Sequence, residues 1–194
     1  MSAPASAELV SDGLSTAVER ARDSLVRITT GNRGVGSGVA WARPGIVVTN
    51  AHVAVHGELS VVARDGTRAA ARVLALDEQA DAAVLSVDLA GLRPAMVGDA
   101  RSLKAGEIVL ALGFSWGLTD TVTSGVVIGA GEDAGPWSGD WLVVNMRLRP
   151  GNSGGPVIDA RGNVVGLSTI MAGSEVGLAV PSHVVEGVVN RVLH

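Results

Sequence analysis

The sequence has 194 residues, is 47% hydrophobic and carries a formal net charge of −4 at pH 7, so it can bury a sizeable core in one large domain or two small ones. Its 15 basic residues are scattered along the chain, and we therefore expect no nucleic-acid partner. It contains no cysteine, which excludes a disulfide framework, a thiolate metal site and a cysteine nucleophile.

The N-terminal segment has neither a basic start nor a long apolar stretch, so it predicts no signal peptide and no membrane anchor. Taken as written, the sequence predicts a cytoplasmic protein. A secreted or periplasmic domain that has lost its leader is the alternative. Apolar residues at roughly helical spacing over 6–23 predict an amphipathic helix, so we expect residues 1–23 to form a helical extension.

From Ser24 onward, short runs rich in Val, Ile and Leu alternate with glycine-rich or charged turns, which is typical of an all-β protein. The runs fall into two sets joined by the glycine- and proline-containing stretch 91–106, and they predict two barrels or sandwiches. We expect the first barrel over residues 24–97 and the second over 98–181. Valines at three- and four-residue steps predict a C-terminal helix over 182–194.

Ser153 lies among small residues in the stretch Gly-Asn-Ser-Gly-Gly-Pro. The glycines permit positive φ and leave backbone N–H groups uncovered, so the serine could attack a carbonyl group while its neighbours bind the oxyanion. An ordinary hairpin turn has the same composition. The serine therefore needs a base before it indicates catalysis.

Histidine and aspartate side chains that could activate this serine lie earlier in the chain. His52 follows the apolar run GIVVT, where a junction between a strand and a helical turn could fix an imidazole, and Asp81 immediately precedes the apolar run AAVLSV. A carboxylate at that position could orient the imidazole and stabilise the imidazolium. His56 lies in a more polar setting, His183 begins the C-terminal helix and His194 is the last residue.

Five blocks occur in the order found in trypsin-like serine proteases, and the sequence most closely resembles the bacterial HtrA/Deg group. The blocks are GSGVAW, GIVVTNAHV, DAAVLSV, GNSGGPV followed by GNVVGLST, and VGLAVPS, and together they span about Leu25 to His183. The resemblance implies two six-stranded antiparallel β-barrels of the chymotrypsin type with N- and C-terminal helices. It also implies a serine endopeptidase that cleaves unfolded or flexible polypeptides through an acyl-enzyme.

The resemblance assigns roles position by position. It implies that His52 is the general base, Asp81 the orienting acid and Ser153 the nucleophile. The hydroxyl of Ser168 would support the acid from behind, although a plain strand serine explains that residue equally well. The oxyanion hole is expected from the loop residues Gly151, Asn152 and Ser153.

The resemblance also locates a primary substrate pocket, walled by Leu148, Ile170, Met171, Ala172 and Val176. Because no acid lies at its expected base, we predict that it accepts small or medium aliphatic side chains and not arginine or lysine. Arg147 and Arg149 depart from the family pattern and could favour acidic substrate residues. Pointing to solvent or pairing with nearby acids is the alternative for both.

Several functional expectations follow from what the sequence lacks. We expect no cofactor and no metal, polypeptide substrates as partners, and no PDZ domain within these residues. Residues 1–40 contain no aromatic side chain of the kind through which many relatives trimerise, so we expect a monomer, with a trimer as the alternative. The glycine-rich loops 113–120 and 129–140 are expected to order upon activation.

Two other functions remain open at this point. A weakly active or inactive module of the same fold could hold unfolded segments by strand addition. An esterase of the α/β-hydrolase type would also carry Gly-x-Ser-x-Gly. However, in this chain the motif leads into a predicted strand, and the order His, Asp, Ser differs from the order in that class.

Overall fold

The computed structural model describes residues 6–193 except 32, 56, 116, 117, 119 and 133, so His56 and His194 lie outside the described residues. Over these ranges the chain forms twelve β-strands and three α-helices. The helices are α1 (Ser6–Arg22), α2 (Ala51–Ala54) and α3 (Ser182–Leu193). None of them is both long enough and apolar enough to cross a membrane.

The first six strands close into an antiparallel barrel. They are β1 (Leu25–Thr30), β2 (Arg33–Ala40), β3 (Ile46–Thr49), β4 (Leu59–Val62), β5 (Arg68–Asp77) and β6 (Ala82–Val87). Their order around the barrel is β1, β2, β3, β6, β5, β4, and β4 pairs back with β1. The short helix α2 follows β3 directly and lies at one end of this barrel.

The remaining six strands repeat this topology. They are β7 (Ile108–Gly113), β8 (Thr121–Gly131), β9 (Trp141–Asn145), β10 (Pro156–Asp159), β11 (Val164–Met171) and β12 (Val176–Pro181). Their order is β10, β11, β12, β9, β8, β7, and β10 pairs with β7 to close the barrel. The predicted all-β class, with two six-stranded antiparallel barrels and terminal helices, is confirmed.

Alternation of side chains along each strand explains why the barrels pack together. In β1, Val26 and Ile28 point into the first barrel, whereas Leu25 faces outward and joins a cluster shared by both barrels and the helices. Successive residues of a strand point to opposite faces, so a continuous apolar run fills a barrel and also covers it. Each fully buried Val, Leu or Ile side chain contributes about 1.5–3 kcal/mol.

The cluster between the barrels fixes the position of the loops that follow β3 and β7. Val48 and Leu112, which precede two of those loops, are fully buried in it, and the terminal helices α1 and α3 cover its sides. Interiors packed in this way resist deformation. The end of β7 in the second barrel is held next to β2 in the first, where the backbone N–H of Phe114 donates to the Ser37 hydroxyl at 3.1 Å.

Candidate active site

His52 and Asp81 form a hydrogen-bonded pair at the end of the first barrel. The Nδ1 atom of His52 lies 3.0 Å from both carboxylate oxygens of Asp81, and the backbone N–H of His52 donates to one of them at 3.1 Å. Asp81 has a φ of 50°, in the left-handed region that aspartate tolerates better than most residues. Asn50 stabilises this conformation by donating from its side-chain amide to the Asp81 carbonyl oxygen at 2.9 Å.

The surroundings of Asp81 favour its ionised form. Burial alone would raise the pKa of this carboxyl group, but hydrogen bonds from His52 and Thr169 outweigh burial, and its pKa is lowered below the usual 3.8. A carboxylate accepts a hydrogen bond and cannot donate one, so the proton between the two groups is carried by Nδ1 of His52. The other ring nitrogen, Nε2, is then the acceptor of the neutral imidazole.

Thr169, and not Ser168, contacts the acid. The Thr169 hydroxyl donates to the Asp81 carboxylate, whereas the Ser168 hydroxyl donates to the carbonyl oxygen of Gly155 at 3.1 Å. The assignment of a supporting role to Ser168 is therefore wrong by one residue. Neighbouring residues of a strand face opposite sides, so only one of the two hydroxyls can reach Asp81.

Ser153 lies on the opposite side of the cleft and meets the same threonine. Its hydroxyl donates to the carbonyl oxygen of Thr169 at 3.1 Å, and within the described residues it makes no hydrogen bond with His52. Thr169 thus contacts Asp81 through its hydroxyl and Ser153 through its backbone. The structure brings the three predicted residues to one site, with the serine hydroxyl turned toward β11.

The glycines beside Ser153 are required by close packing of the backbone. Gly151 has a φ of 98°, and a Cβ atom there would overlap the carbonyl oxygen of Phe114. Gly154 has a φ of 79°, and a Cβ atom there would overlap the carbonyl oxygen of Ser37. The loop over residues 149–155, which we call the serine loop, is therefore packed against backbone atoms from both barrels. Only glycine fits at positions 151 and 154.

Within the described part of the chain, two backbone N–H groups around Ser153 have no protein acceptor. Gly155 donates its N–H to the carbonyl oxygen of Asn152 at 2.8 Å, and Gly154 donates to Ser168 at 2.8 Å. Across the described ranges, the N–H groups of Gly151 and Ser153 donate to no protein acceptor. Amides without an internal partner are what an oxyanion site requires.

Asn152 anchors the loop through its side chain. It is 1% exposed, and its Oδ1 accepts from the hydroxyl of Ser115 and from the backbone N–H of Arg149, both at 2.9 Å. Ser115 and Phe114 follow strand β7, so the predicted activation loop 113–120 touches the serine loop directly. Neither Ser115 nor Thr169 was identified from the sequence, although both lie beside motifs that were.

Four of the five predicted pocket residues cluster around Gly177. Leu148 is 7% exposed, its backbone N–H donates to the sulfur of Met171 at 3.1 Å, and its side chain packs on Gly177. Ala172 donates to the carbonyl oxygen of Val176 at 2.8 Å and closes the turn between β11 and β12. The fifth residue, Ile170, is 49% exposed and lies on the open face of β11.

Known proteins match this chain in sequence and in structure. The profile of the trypsin-like peptidase domain matches residues 36–167. The chain is 35% identical over 175 residues to Protease Do-like 1, chloroplastic, of Arabidopsis thaliana, a match that covers 83% of this chain and 40% of the relative. It is 37% identical over 168 residues to a probable periplasmic serine endoprotease, DegP-like, of Brucella suis, covering 81% and 33%.

The fold is likewise similar to solved HtrA structures. HtrA-type protease AlgW with tripeptide superposes with a TM-score of 0.84 at 29% identity, covering 93% of this chain and 64% of that one. The chain spans between a third and two fifths of the length of the curated relatives named above. It belongs to the trypsin-like peptidase family, and the relatives it matches are HtrA and Deg proteases.

Proposed function

We propose that this chain is a serine endopeptidase that uses Ser153 as nucleophile, His52 as general base and Asp81 as orienting acid. The observation that carries the proposal is the hydrogen-bonded chain through Thr169, which joins the Asp81 carboxylate to the Ser153 hydroxyl beside the paired imidazole. A serine hydroxyl is a weak nucleophile until a neighbouring base removes its proton. Family membership independently supports the same chemistry.

The first step requires the Ser153 hydroxyl to turn from the Thr169 carbonyl oxygen toward Nε2 of His52. The serine oxygen then attacks the scissile carbonyl carbon while its proton passes to Nε2. Asp81 keeps its negative charge throughout and stabilises the imidazolium that forms. The lowered pKa of Asp81 supports this role, because the carboxylate is ionised at neutral pH.

The free amides of Gly151 and Ser153 would receive the negative charge that develops on the substrate oxygen. Donors of this kind are worth about 3–4 kcal/mol each in a comparable protease. Collapse of the tetrahedral intermediate breaks the peptide C–N bond, and His52 returns the proton to the leaving amine. Water activated by the same imidazole then hydrolyses the acyl-enzyme.

The pocket around Gly177 supports a preference for small or medium aliphatic residues before the cut. Leu148 fills the space above Gly177, and no carboxylate is among the pocket residues that could pair with arginine or lysine. Arg147 is exposed, consistent with the alternative that it points to solvent. We expect unfolded or flexible polypeptides as substrates, because a bond must enter the cleft in an extended conformation.

The location and assembly of the protein remain predictions. One relative is named as periplasmic and another as chloroplastic, so the relatives give no support to the cytoplasmic location predicted from the sequence. A monomer remains our expectation.

The proposal is tested with a fluorophosphonate probe and with casein digestion. We expect the native chain to be labelled and to cleave casein, and Ser153→Ala and His52→Ala to do neither at a measurable rate. His183→Ala is a matched control, because His183 is also paired with an aspartate, Asp140 at 2.7 Å, outside the proposed site. That variant should retain labelling and cleavage.

Two outcomes would count against parts of the proposal. A native chain that binds unfolded casein but is never labelled would support the peptide-holding alternative. Mass spectrometry of the casein fragments tests the pocket separately, and cuts concentrated after arginine or lysine would contradict the aliphatic preference.

A further inference from the structure

Ser37 is a fully buried residue of β2, in the first barrel, that hydrogen-bonds three times with the second barrel. Its backbone N–H donates to the carbonyl oxygen of Ser153 at 2.8 Å. Its hydroxyl donates to the carbonyl oxygen of Gly151 at 2.6 Å and accepts from the backbone N–H of Phe114 at 3.1 Å. It is 0% exposed.

The direction of the Ser37 hydroxyl is fixed by its two partners. A serine hydroxyl has one proton, and the N–H of Phe114 occupies an acceptor lone pair. The proton must therefore point at the Gly151 carbonyl oxygen. Ser37 thus acts as a donor to the serine loop, while Phe114 holds the hydroxyl in place from the other side.

Glycine has no Cβ atom and can adopt many combinations of φ and ψ. The direction of the Gly151 carbonyl must therefore be fixed by a hydrogen bond from another residue. The peptide between Gly151 and Asn152 is held at one edge by the Asn152 N–H, which donates to Arg149 at 2.9 Å. At the other edge, the Gly151 carbonyl oxygen accepts, among the described residues, only from the Ser37 hydroxyl. The free N–H of Gly151 belongs to the preceding peptide, which shares the same Cα atom. A Gly151 carbonyl released from Ser37 would let the φ and ψ of this glycine change, and its N–H would then lose its fixed direction.

We propose that Ser37 is a positioning residue for the oxyanion hole, which it orients by fixing the Gly151 carbonyl from the opposite barrel. The inference rests on the proposed function, since it assigns the Gly151 N–H to the developing oxyanion. Ser37 does not touch substrate. It acts through the carbonyl groups of Gly151 and Ser153, the two residues whose N–H groups are the proposed donors.

The space around Ser37 admits only a small side chain. A Cβ atom on Gly155 would lie 3.2 Å from the Cβ of Ser37, and one on Gly113 would lie 3.1 Å from its hydroxyl oxygen. Both neighbours are glycine, so the loops approach Ser37 closely. A side chain of serine size that donates strongly satisfies both requirements.

The test compares Ser37→Ala, which deletes the hydroxyl, with Ser37→Cys, which keeps a side chain of similar shape but donates weakly. We expect kcat on a peptide substrate to fall about 10- to 100-fold in both variants, with KM changed by no more than about threefold. Removal of a group that acts only as the transition state forms lowers kcat and leaves KM.

Ser182→Ala is the matched control. The Ser182 hydroxyl is 1% exposed, donates to the Gly98 carbonyl oxygen at 2.7 Å and accepts from the Ala100 N–H at 3.1 Å, so it has the same pattern of bonds away from the cleft. We expect this variant to lose thermal stability about as much as Ser37→Ala and to keep its kcat. Retention of kcat by Ser37→Cys would overturn the proposal, because volume alone would then suffice.

Amide hydrogen exchange provides a readout that does not depend on turnover. We expect exchange in a peptide covering residues 149–155 to accelerate in Ser37→Ala and to be unchanged in Ser182→Ala. Unchanged exchange in both variants would overturn the proposal. If the native chain hydrolyses no substrate, the proposed function fails, and the exchange rates still decide whether Ser37 holds the loop.

Discussion

The hydroxyl of Thr169 donates to the carboxylate of Asp81, 88 positions earlier in the chain. This bond crosses from the second barrel to the first and helps keep a partly buried carboxylate ionised. We predict that Thr169→Val lowers kcat by about tenfold or more, whereas Thr169→Ser, which keeps the hydroxyl, retains most of it. Steady-state kinetics on one peptide substrate would measure both.

Ser168→Ala is the control for this comparison. The Gly155 carbonyl oxygen that accepts from the Ser168 hydroxyl also accepts from the Ser168 backbone N–H at 2.9 Å, so the substitution leaves no buried group unpaired. We expect a stability loss of about 1 kcal/mol and little change in kcat. A larger fall in kcat for Ser168→Ala than for Thr169→Val would restore the supporting role first expected for Ser168.

The lowered pKa of Asp81 predicts how its contribution to stability depends on pH. Folding lowers this pKa below 3.8, so the ionised carboxylate stabilises the folded state at pH values above 3.8. That contribution is lost as the pH falls through the folded-state pKa. Urea denaturation of Ser153→Ala with and without Asp81→Asn should show a gap in free energy of unfolding at pH 7 that narrows in acid.

The Ser153→Ala background prevents self-digestion while leaving the carboxylate and its partners in place. A gap that stays constant from pH 7 to strong acid would mean that Asp81 titrates alike in the folded and unfolded chain.

Asp120 anchors the end of the 113–120 loop by contacts with two arginines. Its side chain is 13% exposed and forms an ion pair with Arg64, whose Nε lies 2.9 Å from the Asp120 carboxylate, and Nε of Arg22 in α1 lies 4.0 Å away. We predict that Asp120→Asn lowers the free energy of unfolding by about 1–3 kcal/mol, because it removes the charge from a partly buried site. We also expect a severalfold fall in kcat, because residues 114 and 115 contact the serine loop.

Asp23→Asn offers a comparison on the surface. Asp23 pairs with Arg93 at 3.2 Å, and both side chains are largely exposed, at 46% and 79%. Exposed pairs contribute about 0–1 kcal/mol, so chemical denaturation should detect little change. An equal loss in free energy of unfolding for Asp120→Asn and Asp23→Asn would show that burial does not strengthen the Asp120 ion pair.

The packing of Leu148 on Gly177 predicts how a substitution of Leu148 would change the cleavage preference. Its side chain packs on Gly177, and truncation would open space in the proposed pocket. We expect Leu148→Ala to shift casein cuts toward larger residues such as phenylalanine, at a cost of about 2–5 kcal/mol in stability. Mass spectrometry of the fragments would record the shift. Val165→Ala, buried at 1% in the same cluster, should lose stability without moving the cuts.

The sequence predicted the barrels because their strands are short and apolar and are separated by clear turn residues. It also singled out His52, Asp81 and Ser153, each of which stands in a motif of fixed spacing, and their catalytic roles stay predictions. The supporting hydroxyl was missed because Ser168 and Thr169 are adjacent hydroxyl residues, and only the strand's face decides which one reaches Asp81. A register shift in β11 between Ser168 and Met171 further obscures that alternation.

Other features depend on contacts between distant segments and leave no local pattern. Nothing in the sequence of β2 indicates that Ser37 meets Gly151, which is 114 positions away. Likewise, the direction of the Ser153 hydroxyl toward Thr169 is a choice of side-chain rotamer, which composition and spacing do not determine.

The hydrogen bond from the Ser37 N–H to the Ser153 carbonyl oxygen joins the two barrels, which are synthesised one after the other. The first barrel, which carries the proposed base and acid, leaves the ribosome before the second barrel, which carries the proposed nucleophile. Under the proposed chemistry, neither half can cut alone, because the base and acid lie in the first barrel and the nucleophile, whose backbone the first barrel holds, lies in the second. We therefore expect the proposed activity to appear only after both barrels have folded against each other.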